Sequence, residues 1–137
     1  MHLLPKSPTV KTPAERFSGD VYLNMIVVGE EPSRVRVGAV RFTPGAHTAW
    51  HWHGCGQTLH CTDGLGLVVT ADEVVVLRPG DTVWTPPGQW HWHGAAPEQF
   101  MAHLSITEAP SPGSTDPETT WGEHVTDADY AKASAAI

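Results

Sequence analysis

Two identical pentapeptides, Trp50-His51-Trp52-His53-Gly54 and Trp90-His91-Trp92-His93-Gly94, hold the residues of this sequence best suited to chemistry. Neutral imidazole binds divalent metals and exchanges protons near neutral pH. In an extended strand alternate side chains share a face, so His51 and His53 point one way while Trp50 and Trp52 point the other. His91 and His93 repeat the arrangement. Two such strands in a curved sheet can close four imidazoles on one ion. Buried without partners, the same rings would each leave a costly unpaired nitrogen, and a bound cation removes that cost. Seven of the nine histidines lie between His47 and His103, and five of the six tryptophans between Trp50 and Trp92, so the chemistry belongs to the middle of the chain.

The elements that must position these residues read as strands. Val21 to Val28 and Arg34 to Phe42 are rich in β-branched and aromatic residues. In the second of them Gly38, Val40 and Phe42 share a face and are expected to line a pocket beside the histidines. Thr43-Pro44-Gly45 turns the chain into a strand from Thr48 to His53, and Gly54-Cys55-Gly56 breaks it before a strand from Gln57 to Thr62. There Gln57, Leu59 and Cys61 look one way, with Thr58, His60 and Thr62 on the other side. Asp63-Gly64 marks a tight turn before Leu65 to Val69, and Pro79-Gly80 marks another after Val74 to Leu77. Short strands follow over Asp81 to Thr85, Gln89 to His93 and Phe100 to Thr107, the last placing Met101, His103 and Ser105 on one face. Strands of this size and spacing predict an all-β sandwich or barrel. Residues 1–16, with three prolines, read as an irregular arm, and residues 109–119 as a loop. Thr126 with Asp129 resembles a capping box and predicts one short helix from Asp127 to Ala133.

A length of 137 residues predicts a single domain spanning 1–137. A formal charge of −7, with no basic run, argues against a nucleic-acid or anionic-membrane partner. No stretch approaches a membrane span and the N-terminus lacks a signal-peptide pattern, so a cytoplasmic location is expected. Cys55 and Cys61 are too few for a disulfide framework and are expected as free thiols, Cys55 in a loop and Cys61 in the core. His60 is expected at solvent or an interface, and His124 near the terminal helix.

Gly45, His51, His53, Gln57 and Gly64, separated by five, one, three and six residues, resemble the first cupin motif, with glutamine in place of its usual glutamate. Gly80, Pro86, Gly88 and His91, separated by five, one and two, resemble the second, whose common terminal asparagine falls at Ala95. The resemblance implies a double-stranded β-helix, or jelly-roll barrel, with one divalent metal ion per subunit. It implies His51, His53, Gln57 and His91 as ligands and leaves His93 in the pocket, whereas the residues alone favour four histidines with His93 among them. A closer resemblance, to the bacterial manganese-dependent cupin hydroxynitrile lyases, runs through Thr48-Ala49-Trp50-His51, Gly56-Gln57-Thr58-Leu59, His91 to Pro97, His103-Leu104 and Glu123 to Asp127. It implies cleavage or formation of cyanohydrins such as mandelonitrile, with His93 and His103 as catalytic residues and Thr48 in the substrate pocket. His47 stands where that group is expected to have arginine, and it is expected at the pocket rim.

Three imidazoles and a neutral amide leave a divalent ion its full charge, which favours Lewis-acid chemistry over electron donation. Manganese is the ion implied by the resemblance, while imidazole also suits Fe, Ni and Zn. The expected reaction has the metal lowering the pKa of the substrate hydroxyl and His103 or His93 taking its proton. Alternatives are a cupin dioxygenase and a non-catalytic cupin that binds a small ligand. Trp50, Trp52, Trp90 and Trp92 are expected to face outward and to be covered either by the terminal segments or by a second subunit, so a homodimer or homotetramer is expected.

Overall fold

The computed structural model describes residues 1–137, and two facing antiparallel sheets make up most of it. The first contains β1 (Val10–Lys11), β3 (Val21–Val28), β4 (Val35–Phe42), β7 (Gln57–Gly64), β10 (Thr82–Thr85) and β12 (Met101–Glu108), in the order β1-β3-β4-β12-β7-β10. The second contains β2 (Phe17–Ser18), β5 (His47–Thr48), β8 (Gly66–Val69), β9 (Val74–Leu77) and β11 (Trp92–Ala95), in the order β2-β5-β11-β8-β9. A two-stranded ribbon pairs β6 (His51–His53) with β13 (Thr119–Trp121), and one helix, α1 (Asp127–Ser134), closes the chain. The jelly-roll barrel with a short C-terminal helix is the expected architecture.

Alternation decides which side chains enter the barrel. On β4, Gly38, Val40 and Phe42 are buried while Arg41 is exposed; on β7, Gln57, Leu59 and Cys61 are buried while Thr62 is exposed. Val40, Phe42, Leu59 and Cys61 meet Val21, Val68, Leu77 and Met101 in the main core between the sheets. Strand β8 departs from alternation, with Gly66 to Val69 all buried. Its outer face lies under α1, where Leu67, Val69, Trp92, Val125 and Ala133 form a second core. A strand covered on both faces reads as a continuous apolar run. Thr126 caps α1 by accepting from the backbone N–H of Asp129 at 3.1 Å.

Several expected boundaries shift. The arm over 1–16 is not wholly irregular, because Val10 and Lys11 pair with Leu23 and Tyr22 at the sheet edge. The loop over 109–119 ends in strand, with Thr119 paired to His53. The single strand expected over Thr48 to His53 is broken, because the backbone changes partners there: Ala49 N–H donates to Arg16 O and Trp50 N–H to Glu123 O. The strand expected over Gln89 to His93 begins only at Trp92, and His91 instead exchanges two backbone hydrogen bonds of 2.9 Å with His51. That isolated bridge joins the two pentapeptides.

Trp92 is 1% exposed and lies under α1, and Trp50 packs on the same second core. Trp52 and Trp90 meet edge to face at 6.4 Å, with Gly122 close against the Trp90 ring. The terminal segment therefore covers much of the aromatic surface.

Candidate metal centre

Strand β6 carries His51 and His53, the turn before β11 carries His91, and the first residue of β7 inside the barrel is Gln57. Gly54 and Gly56 make the step from β6 to β7 possible. Gly56 has a φ of +78°, and a Cβ there would meet Thr85 O at 2.8 Å; at Gly54 the backbone of Pro117 leaves no room for one. The chain can then reverse and present Gln57 toward the histidines. Ring centroids of His51 and His91 lie 4.3 Å apart, and His53 lies 5.1 and 5.9 Å from them. Gln57 Oε1 is 2.9 Å from His91 Nε2. The structure thus brings the four expected ligands into one cluster.

His93 joins it. Its centroid is 5.2 Å from that of His51 and 5.9 Å from that of His91, the same reach as His53 has. Nitrogens of His51, His91 and His93 all lie within 4.8 Å of one another. The closest group of nitrogens therefore holds His93 where the cupin motifs imply His53, whose ring stands at the edge of the cluster.

Second partners orient the rings. His51 Nδ1 lies 2.9 Å from Ala49 O, His91 Nδ1 lies 2.8 Å from Gln89 O, and His53 Nδ1 lies 3.1 Å from Thr119 Oγ1. Imidazoles that ligate metals characteristically give their other N–H to such a partner. His91 makes the case for a cation sharply. A neutral ring has one N–H, yet His91 faces two acceptors, Gln89 O and Gln57 Oε1. Donating to the carbonyl leaves the Nε2 lone pair against the amide oxygen. Protonating the ring would satisfy both contacts, but burial lowers its pKa. Nearby, the Nε2 of His53 is buried with no protein partner. Burial first, and the His91 ring next, push His53 down to about 4. Lone pairs converge with no proton to share, and a divalent cation is what such a donor set accepts. Two ligand atoms 2.9 Å apart are also spaced as adjacent octahedral neighbours around one ion at about 2.1 Å.

A cavity of about 230 Å³ opens beside the cluster. Leu23, Met25 and Val40 make an apolar wall, with Gly38 leaving space between them, and Thr48 and Trp121 stand nearer the histidines. Of the expected pocket residues, Gly38, Val40 and Thr48 line this cavity and two do not. Phe42 is 1% exposed and lies behind His93 and His103, its ring 5.7 Å from the first and 5.4 Å from the second. His47 is corrected more strongly. Thr48 beside it faces the cavity, so alternation turns His47 outward, where it stacks on Tyr130 of α1 at 4.5 Å.

His93 and His103 meet inside the barrel, with His103 Nε2 3.2 Å from His93 Nδ1. Both are almost fully buried, and His103 Nδ1 has no partner. Burial lowers both, His103 to about 4, and the neighbouring imidazoles, His103 foremost, lower His93 further. Both rings are therefore neutral at pH 7.

The sequence reading missed the residues that cover the site from the C-terminal side. Trp121 lies 4.7 Å from the His51 ring, and Glu118 pairs with Arg36 of β4 at the cavity mouth. Thr119-Thr120-Trp121 is a short β-branched and aromatic run, the one signal that marked a strand there. Ser105, which touches Gln57, was placed on the correct face but given no role.

Residues 38–106 match the Cupin domain family. An (R)-mandelonitrile lyase from Granulicella tundricola is 44% identical over 121 residues, 88% of this chain and 89% of that one. Among solved structures, a cupin-like protein from Thermotoga maritima is 32% identical, with a TM-score of 0.84 and complete coverage of both chains. A cupin-2 domain protein from Rhodospirillum rubrum is 18% identical with a TM-score of 0.71, covering 96% of this chain and 84% of that one, and supports the fold alone.

Proposed function

This chain belongs to the cupin family, and from that premise we propose that it is a metal-dependent hydroxynitrile lyase. Its substrates would be cyanohydrins of the mandelonitrile type, cleaved to an aldehyde and cyanide or formed from them. The relative from Granulicella tundricola supports the substrate class. The observation that carries the reading is structural: His51, His53 and Gln57 of an uncharged donor set, with His91 against Gln57, line the same small cavity as the buried imidazole pair His93–His103.

His51, His53, Gln57 and His91 would hold the ion, with manganese proposed on the likeness in sequence; His93 is near enough to exchange into that set. A divalent ion bound there supplies Lewis acidity, which makes a substrate hydroxyl easier to deprotonate. The chain's own residues do the rest. The apolar wall of Leu23, Met25 and Val40 receives the organic side chain of the substrate. The His93–His103 pair takes the hydroxyl proton, since burial keeps both rings in the base form at neutral pH. An imidazolium made in that dry site is offset by the cyanide anion released beside it. A volume of about 230 Å³ suits a small substrate.

No helix is long and apolar enough to cross a membrane. Cys55 is an exposed free thiol and Cys61 a buried one, which supports the reducing cytoplasm we propose as the location. Purified protein loaded with Mn(II) is expected to release cyanide from mandelonitrile. Absence of turnover with a fully loaded site would exclude the lyase reading. Oxygen consumption in its place would point to the dioxygenase chemistry of other three-histidine sites.

A further inference from the structure

An amide ligates a metal through its oxygen, and turned over it presents an NH₂ group that repels a cation. A carboxylate has no such wrong side. Around Gln57 the wrong side is also the tempting one, because the neighbouring imidazoles present lone pairs that would attract the NH₂. A partner that accepts from the NH₂ group on the far side stabilises the orientation in which the oxygen faces the ion.

Ser105 is placed to do it. Gln57 Nε2 donates to Ser105 Oγ at 2.8 Å, which leaves Oε1 facing His91 Nε2 at 2.9 Å. The contact follows from sheet register. Ser105 on β12 sits opposite Leu59 on β7, so Gln57 is its diagonal neighbour on the same face, within reach of a long side chain. On the other flank Ser105 pairs with Gly38 of β4, which has no side chain to compete for the hydroxyl. Ser105 also lines the cavity.

We infer that Ser105 is a positioning residue: by accepting from Gln57 Nε2 it supports the orientation of the amide in which the oxygen faces the ion, and so raises the metal affinity of the site. The inference rests on the metal reading above but not on the lyase reaction. Metal-free protein titrated with Mn(II), followed by electron paramagnetic resonance, measures it directly. Ser105→Ala is expected to weaken binding by about tenfold or more, the usual effect of removing a group that orients a ligand. Ser105→Thr, which keeps the hydroxyl, is expected to restore it. The decisive comparison repeats Ser105→Ala in a Gln57→Glu background, where either carboxylate oxygen serves. There the loss is expected to shrink to less than about threefold, a coupling between the two positions.

Equal losses in the two backgrounds, or no loss beside Gln57, overturn the role of Ser105 and leave the metal site standing. A wild-type chain that binds no Mn(II) overturns the metal reading and this inference together. Cyanide release enters neither measurement. Thermal melts of metal-free Ser105→Ala are expected to match wild type, because the residue is only half-buried at the cavity wall; a large drop would reveal a structural role instead.

Discussion

Gln57 is the residue on which the chemistry turns, because it decides how much positive charge a bound ion keeps. Gln57→Glu is expected to bind metal more tightly while lowering cyanide release by on the order of tenfold, since the carboxylate neutralises part of the Lewis acid. Metal titration beside the cyanide assay checks both directions. His103 carries a second prediction. Its pKa is about 4 in the folded chain against 6.5 when exposed. Between those values the unfolded chain binds a proton that the folded chain does not. Stability is therefore complete above about pH 6.5, falls as pH drops toward 4, and then levels off; one such ring accounts for about 3 kcal/mol. His53, also near 4, acts in the same direction. Melting temperatures of the metal-free protein from pH 7 to pH 4 are expected to show this decline, and His103→Leu to flatten part of it.

Strand β12 is the element that unites the site. It pairs with β4 on one side and β7 on the other, so His103 stands opposite Val40 and Ser105 opposite both Gly38 and Leu59. One strand thus supplies an imidazole proposed as catalytic and the hydrogen-bond partner of the proposed amide ligand. Strand β13 does complementary work as a strap over β6, laying Trp121 on His51 and Thr119 on His53. The strap is seated by the missing side chain of Gly54, where a Cβ would strike Pro117 O. Gly54→Ala is expected to lift the strap, destabilise the fold by about 1–3 kcal/mol and speed metal loss to a chelator. Denaturant melts and the chelator rate measure the two effects. Helix α1 depends on its cap, and Thr126→Ala is expected to cost about 1 kcal/mol. Because α1 covers Trp92, the same variant should raise tryptophan quenching by acrylamide.

At the scale of the whole molecule, two cores divide the labour. The larger, between the sheets, holds the barrel closed below the histidines, and the smaller, under α1, protects the outer face of β8 and β11. Covering by α1 removes Trp92 and most of Trp50 from the surface that would have called for a second subunit. Trp84 is a stronger reason for one, being 64% exposed on edge strand β10. It begins a register row across the outer face of the six-stranded sheet, through Thr58, Ile106 and Val37. The proposed homo-oligomer is expected to use that row. Light scattering should then give a mass of two or four times 14.8 kDa, and Trp84→Asp should reduce it.

Strand periodicity set the inward faces of β4, β7 and β12 from the sequence, because a period of two is local and survives whatever packs around it. The likeness of the histidine, glycine and proline spacings to the cupin motifs likewise implied which residues would converge, and the motif glycines Gly45, Gly64, Gly80 and Gly88 all take the positive φ of a turn. Alternation could not say what lay opposite a given face. His47 and Thr48 were both plausible pocket residues until the partner of each was known, and α1 proved to be the partner of His47. Trp121, Glu118 and the hydrogen bond from Gln57 to Ser105 bring together residues far apart in the chain. Only tertiary pairing fixes such contacts, because register between distant strands depends on the whole barrel closing and not on any segment within it.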